Sequence, residues 1–206
     1  MQNAALAVRG LDWRYDAFDV EDVGGAVTAL RALGFVGANV TIPHKQAVVA
    51  VCDEADGDAV NTLVFDGGRV RGFNTDKEIL AGIDAQRACL IGAGGAARAL
   101  APALPAETTT YSRSGNWPPD AGGCDLVVNA TPVRDDVLVE LNAGQTVVDL
   151  AYGAEETALV AAARAAGCTV IDGREALVRQ GAASFRLWTG LEPPVETMRA
   201  AIRAGV

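Results

Sequence analysis

Short apolar runs rich in β-branched and small residues recur along the second half of the chain. Between the last two runs, Glu155–Ala166 has the pattern of a helix, and Gly167 supplies a C-terminal cap. Strands that alternate with helices or loops pack as a parallel, doubly wound sheet. We therefore predict one domain over 85–172, with strands at Ala88–Ile91, Thr108–Ser112, Leu126–Asn129, Thr146–Leu150 and Thr169–Ile171.

The first eighty or so residues have a different pattern of apolar and polar positions, which predicts a second αβ unit. An amphipathic helix is expected over Val23–Leu33, ended by Gly34. The turn Asp66-Gly67-Gly68 lies between two strand-like runs and indicates a β-hairpin. The predicted strands of this unit are Trp13–Val20, Val36–Ile42 (halted by Pro43), Val60–Phe65 and Arg69–Thr75.

Two further helical patterns, Glu175–Trp188 and Val195–Arg203, close the chain. We expect this tail to return to the first lobe. The predicted fold class is therefore α/β with two lobes: an N-terminal αβ lobe of residues 1–84 completed by 173–206, and a Rossmann-like lobe of residues 85–172 with a parallel sheet.

A glycine-rich turn follows the first strand of the Rossmann-like lobe and opens a helix. Gly92 permits the tight turn, Gly94 lets the backbone approach a pyrophosphate, and Ala97 keeps helix and strand close. The same glycines also occur at structural turns that bind nothing, but the correct strand and helix flanks favour the functional interpretation. The candidate cofactor-binding turn is Gly92, Ala93, Gly94, Gly95 and Ala96.

The next strand ends where a dinucleotide-binding protein usually carries an acidic residue for the ribose 2′-hydroxyl. This chain has Ser112, Arg113 and Ser114 there. Arginine flanked by hydroxyls suits a 2′-phosphate, so the sequence predicts NADP rather than NAD.

Composition narrows the classes of function. The chain of 206 residues is 50% hydrophobic and carries a net charge of -9, which disfavours nucleic acid and anionic membrane surfaces as partners. A single histidine, His44, and four scattered cysteines offer no usual metal-ligand spacing, so no metal is expected. With no signal-peptide pattern and no membrane-length apolar run, we expect a cytoplasmic protein with a small-molecule substrate; the oligomeric state is left open.

Polar residues gather at the predicted strand ends of the first lobe, where ligands bind in open α/β sheets. Oxidation of a hydroxyl requires a hydride acceptor, which a nicotinamide supplies, and a group that takes or returns the proton. Lys45 and Asp76 are the candidates: an ammonium can hydrogen-bond the substrate oxygen while a carboxylate fixes its position. The remaining members of the group are Asn39, Thr41, Asn61, Asn74 and Thr75.

Plainer structural roles are open for the same residues. Lys45 could be an exposed lysine at a helix start, and Asp76 could be only the N-cap of a helix over Lys77–Ile83. His44 is expected to be a solvated or capping side chain rather than a catalytic one.

The ordered set of motifs resembles the shikimate dehydrogenases, NADP-dependent enzymes that interconvert 3-dehydroshikimate and shikimate. The resemblance implies that Lys45 and Asp76 are the catalytic pair and that Asn39, Thr41, Asn61 and Gln180 bind the substrate. It also implies that Tyr152, beside the substrate, and Gly173 lie near the nicotinamide and that Thr131 contacts the cofactor. The motifs are Gly37–Lys45, Ala59–Leu63, Gly72–Asp76, Gly92–Arg98, Asn129–Pro132, Asp149–Tyr152, Asp172-Gly173 and Leu177–Ala182.

The chain also departs from this pattern. Family members begin with a further strand whose Ser-x-Ser pair grips the substrate carboxylate, whereas Met1–Ala5 resembles only the segment that comes after that pair. The neighbours of that strand would have to close up or leave backbone groups unpaired. The alternative is thus a non-catalytic or weakly active nucleotide-binding paralogue that has lost the carboxylate anchor.

Overall fold

The computed structural model describes residues 1–205, which divide into two compact units. The first unit comprises Met1–Glu78 and Val178–Ala201. The second comprises Ile79–Leu177 together with the residues from Ile202 onward. Two long helices of the C-terminal part, α5 (Gly173–Thr189) and α6 (Val195–Ala204), each contribute residues to both units.

The first unit is built on a four-stranded mixed sheet of order β1-β3-β4-β2. Its elements are α1 (Gln2–Val8), α2 (Val23–Ala32), β1 (Gly37–Asn39), β2 (Glu54–Ala55), β3 (Thr62–Asp66) and β4 (Arg69–Phe73), with a 3₁₀ helix at Ala47–Val51. A second 3₁₀ helix, Thr75–Leu80, begins in this unit and ends in the second. Strands β3 and β4 form the predicted hairpin, whose register pairs Asp66 with Arg69 across Gly67 and Gly68. A small apolar core packs on this sheet, and Val48, Val60 and Leu63 are fully buried in it.

The second unit is a five-stranded sheet of order β6-β5-β7-β8-β9, in which every pair is parallel. Its elements are β5 (Arg87–Ile91), α3 (Gly95–Leu100), β6 (Glu107–Tyr111), β7 (Leu126–Asn129), β8 (Thr146–Asp149), α4 (Ala158–Ala165) and β9 (Thr169–Ile171), with a 3₁₀ helix at Ala101–Ala103. Alternate residues of the central strands pack into separate cores: Leu90 and Val128 join one cluster, while Ile91 and Val127 join another. Because the central strands are buried on both faces of the sheet, their sequences are continuous apolar runs.

These elements confirm the predicted fold class and the five parallel strands. The helix predicted over Glu155–Ala166 begins only at Ala158, because the Thr157 hydroxyl accepts a hydrogen bond from the backbone N–H of Val160 and caps it. The strand predicted over Val36–Ile42 is shorter than expected, since only Gly37–Asn39 pairs with β3. Sequence patterns did not reveal α1 or β2.

The strand predicted at Trp13–Val20 is wrong, because this segment has no regular secondary structure. Its backbone lacks a neighbouring strand. Instead, the side-chain amide of Asn3 donates to the Tyr15 carbonyl at 2.8 Å and accepts from the Tyr15 N–H at 2.7 Å. One side chain thus takes over part of the pairing that a strand would provide.

Residues 1–205 contain neither a membrane-spanning helix nor a cluster of metal ligands. None of their helices combines the length and the apolar character needed to cross a bilayer. No group of three or more His, Cys, Asp or Glu side chains in this range is placed to hold a metal ion.

Candidate active site

Lys45 and Asp76 form a short ion pair in the first unit. Lys45 Nζ lies 2.6 Å from Asp76 Oδ2, and the two side chains are 19% and 13% exposed. The Lys45 carbonyl accepts a hydrogen bond from the Val60 N–H at 2.8 Å, which ties the lysine backbone to the residues that lead into β3. The interpretation of Lys45 as an exposed lysine is therefore wrong.

Asp76 is not the N-cap of a helix over Lys77–Ile83. It lies inside the 3₁₀ helix Thr75–Leu80, and its own N–H donates to Asn74 Oδ1 at 3.1 Å. Its carboxylate binds side chains on both oxygens: Oδ2 faces Lys45, and Oδ1 accepts from Asn61 Nδ2 at 2.9 Å. The carboxylate is thus fixed in orientation beside the ammonium.

Asn61 is buried and held in one amide orientation. Its Oδ1 accepts from the Thr75 N–H at 2.8 Å and from the hydroxyls of Thr75 and Thr62, both at 3.0 Å. An amide oxygen surrounded by donors leaves only Nδ2 to face Asp76. Asn61 therefore positions the carboxylate.

Behind Asn61 lies a buried cluster of hydroxyls that includes Ser184 of α5. Ser184 Oγ is 2.9 Å from Thr62 Oγ1, and Asn39 Nδ2 donates to both hydroxyls at 3.0 Å. The Tyr15 hydroxyl in turn lies 3.0 Å from Asn39 Oδ1. Burial raises the pKa of Tyr15, so its hydroxyl stays a neutral donor at neutral pH.

Sequence reasoning missed Thr62, Ser184 and Tyr15. For Ser184 a signal existed, since it is a single hydroxyl within the otherwise small and apolar stretch Gly181–Phe185. Tyr15 offered none, because it lies in a segment that we predicted as a strand.

The other predicted substrate residues differ in their placement. Gln180 is half-buried on α5, and its carbonyl accepts from Ser184 Oγ at 3.1 Å, which places it next to the hydroxyl cluster. Thr41 is exposed, and its carbonyl accepts from the His44 N–H. His44 itself bonds the Val20 carbonyl at 2.7 Å. Tyr152 belongs to the second unit and is 52% exposed.

In the second unit, the glycine turn lies at the point where the strand order reverses. The chain leaves β5 toward β6 on one side and leaves β7 toward β8 on the other, the arrangement that opens a crevice at the strand carboxyl ends. Gly92 has φ +112°, and a Cβ there would lie 3.1 Å from the Ala130 carbonyl oxygen. Gly94 and Gly95 are exposed with open space around them.

Arg113 follows β6 and is exposed. Its guanidinium lies 5.7 Å from the centre of the Trp117 ring, while the hydroxyls of Ser112 and Ser114 are 3.3 Å apart. Among residues 1–205, no carboxylate forms an ion pair with Arg113. The guanidinium is therefore available to an anionic ligand.

A buried carboxylate supports the loop that follows β7. Asp149 Oδ1 accepts from Asn129 Nδ2 at 2.9 Å, and Asn129 Oδ1 accepts from the N–H and hydroxyl of Thr131 at 2.9 and 2.7 Å. Thr131 is thus oriented at the crevice. Gly173 has a structural requirement of its own, since a Cβ there would lie 2.6 Å from the Ala151 carbonyl oxygen.

Comparisons with known proteins match both ends of the chain to one family. Residues 1–63 match the shikimate dehydrogenase substrate binding domain, and residues 173–203 match the shikimate 5'-dehydrogenase C-terminal domain. A relative from Moorella thermoacetica, "Shikimate dehydrogenase (NADP(+))", is 39% identical over 98% of this chain and 87% of its own.

Solved structures extend the match to the fold. Shikimate 5-dehydrogenase from Thermus thermophilus, in complex with NADP(H) and shikimate, has TM-score 0.85 and 32% identity over 100% of this chain and 93% of its own. Ligand-free 5-ketofructose reductase from Gluconobacter sp. strain CHM43 has TM-score 0.86 and 28% identity over 98% of this chain and 91% of its own. The resemblance seen in the motifs is confirmed, and the chain belongs to the shikimate dehydrogenase family.

Proposed function

We propose that the protein is an NADP-dependent oxidoreductase that interconverts 3-dehydroshikimate and shikimate or a close cyclic hydroxy acid. The observation that carries this proposal is the Lys45–Asp76 ion pair, fixed by Asn61 and set in a chain of this family. A paralogue that had lost the reaction would be under no pressure to keep this three-residue arrangement, so the geometry favours an active enzyme over the non-catalytic alternative.

Residues 1–84 and 173–206 form the proposed substrate lobe. A polyhydroxylated ring needs donors and acceptors around it. Donors and acceptors come together at Lys45, Asp76 and Asn61. Asn39 and Gln180 border the buried hydroxyl cluster behind Asn61. Thr41, which is exposed, and Tyr152 of the second unit complete the proposed substrate-binding set.

The residues of the pair have distinct roles in this proposal. During reduction the Lys45 ammonium hydrogen-bonds the substrate ketone and donates a proton to its oxygen as negative charge develops there. During oxidation the lysine amine takes the proton back from the hydroxyl. Asp76 stabilises the ammonium by its charge and holds it in place. Asn61 in turn fixes the orientation of the Asp76 carboxylate.

Residues 85–172 form the proposed NADP lobe, and the chain fits this cofactor. When bound, the oxidised form of this cofactor would accept a hydride from the substrate, and the reduced form would donate one. Within the turn Gly92–Ala96, Gly94 and Gly95 have open space around them where a pyrophosphate would lie, and Gly92 packs closely against Ala130 and Thr131 near the end of β7. In this proposal Ser112, Arg113 and Ser114 hold the 2′-phosphate, and Gly173 is the remaining proposed contact.

The experiment that tests the function is a substrate panel with NADP and NAD, followed by absorbance of the reduced nicotinamide. We expect turnover of shikimate with NADP and slower turnover with NAD. Binding of NADP without turnover of any cyclic hydroxy acid would instead support the non-catalytic alternative.

Cofactor choice depends on Arg113. Replacing Arg113 by glutamine is expected to weaken NADP binding by roughly 10- to 100-fold, because a charge-assisted hydrogen bond is worth about 1.5–3 kcal/mol, and to leave NAD binding nearly unchanged. The measurement is titration of each dinucleotide by calorimetry. Arg71, whose guanidinium lies 5.2 Å from the centre of the Phe73 ring, is the matched control in the first unit. Equal losses for NADP and NAD would contradict the assignment.

A reducing compartment fits the four cysteines, which are all free thiols. Burial raises the pKa of Cys89 to about 12, so this thiol stays protonated and unreactive at neutral pH. We propose the cytoplasm as the location on this basis.

A further inference from the structure

A tryptophan lies beside the arginine of the proposed 2′-phosphate site in the second unit. The guanidinium of Arg113 is 5.7 Å from the centre of the Trp117 ring, within the distance at which a cation is attracted to an aromatic face. Among residues 1–205, that guanidinium forms no hydrogen bond and no ion pair. The ring is therefore the contact that restrains the arginine side chain.

Backbone hydrogen bonds fold the segment between these two residues into a closed loop. The Ser112 carbonyl accepts from the Gly115 N–H, and the Ser112 N–H donates to the Asn116 carbonyl, both at 3.0 Å. These bonds turn the chain back on itself, so that residue 117 returns beside residue 113. The contact between Arg113 and Trp117 thus follows from the local fold of the loop.

The backbone after Trp117 is stiff and anchored. Two prolines follow it, Pro118 and Pro119, and proline fixes its own φ and restricts the residue before it. Pro119 is buried, and the Ala121 carbonyl accepts from Gln145 Nε2 at 3.0 Å. The Trp117 ring is 39% exposed and therefore extends toward solvent from a segment that is held in place.

The loop adjoins the glycine turn. Strands β5 and β6 pair in parallel with Ile91 opposite Tyr111, and the Gly92 N–H donates to the Tyr111 carbonyl at 2.8 Å. The glycine turn and the loop of residues 112–117 thus begin side by side at the carboxyl ends of neighbouring strands, where dinucleotides bind in such sheets. A cation restrained in this loop is restrained at the proposed cofactor site.

We infer that Trp117 is a specificity-determining residue for NADP, because its ring holds the Arg113 guanidinium in place to bind the 2′-phosphate. This inference rests on the proposed function, since it takes the 2′-phosphate as the ligand of Arg113. An arginine on an exposed loop loses rotamer freedom when it binds an anion, and a ring that already restricts the side chain removes part of that loss. Trp117 acts through Arg113 and is a positioning residue. NAD has a hydroxyl in place of the 2′-phosphate and should gain nothing from the ring.

The test is calorimetric titration of the full chain with NADP and with NAD. We expect Trp117→Leu to weaken NADP binding by roughly 3- to 10-fold, the size of effect of one cation–π contact or one immobilised side chain, and to change NAD binding by less than about twofold. Trp117→Tyr keeps an aromatic face and should recover part of the lost NADP affinity. The retained NAD affinity shows that the variants are folded.

Two comparisons separate this role from general packing. Trp13→Leu is the matched control, because Trp13 is 40% exposed, nearly the same as Trp117, and lies in the first unit. It should leave both affinities unchanged. Arg113→Gln removes the cation, so adding Trp117→Leu to it should cause no further loss of NADP affinity, as expected of two residues that act as a unit.

The outcomes distinguish this inference from the proposed function. Unchanged NADP affinity in Trp117→Leu, equal losses for NADP and NAD, additive losses in the double variant, or an equal NADP loss in Trp13→Leu would overturn the role of Trp117 and leave the proposed function standing. Failure of the unaltered protein to bind NADP would overturn both.

Discussion

Replacing Lys45 by alanine is expected to lower kcat for shikimate oxidation by about 10²- to 10⁴-fold, the usual contribution of a positioned general acid or base. The variant removes the only group within hydrogen-bond distance of Asp76 Oδ2 in the described residues, while Asn61 still holds Oδ1. The loss should therefore fall on proton transfer. Steady-state kinetics with NADP and shikimate measure it.

Two further variants separate charge from proton transfer. Lys45→Arg keeps a cation, but a guanidinium does not give up its proton, so KM should change less than kcat. Lys77→Ala is the matched control, because Lys77 is the next lysine along the chain and its Nζ bonds Asp56 Oδ2 at 2.8 Å with 45% of its side chain exposed. Loss of activity in Lys77→Ala, or a Lys45→Ala enzyme within a few-fold of the parent, would contradict the assigned role.

The parallel sheet was predictable because its signal is local. Strand β7 is buried at each of its four residues, Leu126–Asn129, and such a strand must be apolar along most of its length. The turn at Gly92 was equally predictable, since φ +112° and the contact with Ala130 both require a residue without Cβ. Here each local preference agrees with the final structure.

The hydroxyl cluster was less predictable because its contacts join distant parts of the chain. Thr62 and Ser184 are 122 residues apart, and Tyr15 reaches Asn39 across 24. No periodicity encodes such pairs. The error at Trp13–Val20 has a related cause: alternation of apolar and polar residues describes what a strand could be, but a strand forms only where a neighbour accepts its hydrogen bonds.

Replacing Asp149 by alanine is expected to destabilise the protein by about 3 kcal/mol. The fully buried carboxylate accepts from Asn129 Nδ2 at 2.9 Å, from the Ala151 N–H at 3.0 Å and from the Thr157 hydroxyl at 2.5 Å. Alanine leaves three buried donors without an acceptor. For a chain of this size that is a fall in Tm of roughly 10 °C, measurable by calorimetry.

The shifted pKa of Asp149 predicts how the loss of stability caused by Asp149→Ala depends on pH. Burial raises the pKa of Asp149, although the bonds from Thr157, Ala151 and Asn129 oppose the shift. A raised folded-state pKa means that the folded protein keeps a proton that the unfolded chain has lost, so the contribution of Asp149 to the free energy of unfolding falls as pH rises above the ordinary value of 3.8 toward the raised one. The destabilisation by Asp149→Ala should therefore be larger near that ordinary value than at neutral pH.

Asp125 is the matched control because its pKa moves the other way. The backbone N–H groups of Arg87 and Gln86 donate to its exposed carboxylate and lower its pKa. Its contribution is present at neutral pH and is lost as pH falls through the lowered pKa, so Asp125→Ala should have a small effect that shrinks in acid. Because the two aspartates differ in the sign of the shift, denaturation of both variants across this pH range separates them. If the destabilisation by the two substitutions changed with pH in the same way, burial of the Asp149 carboxyl would not be the cause of the pH dependence seen for Asp149→Ala.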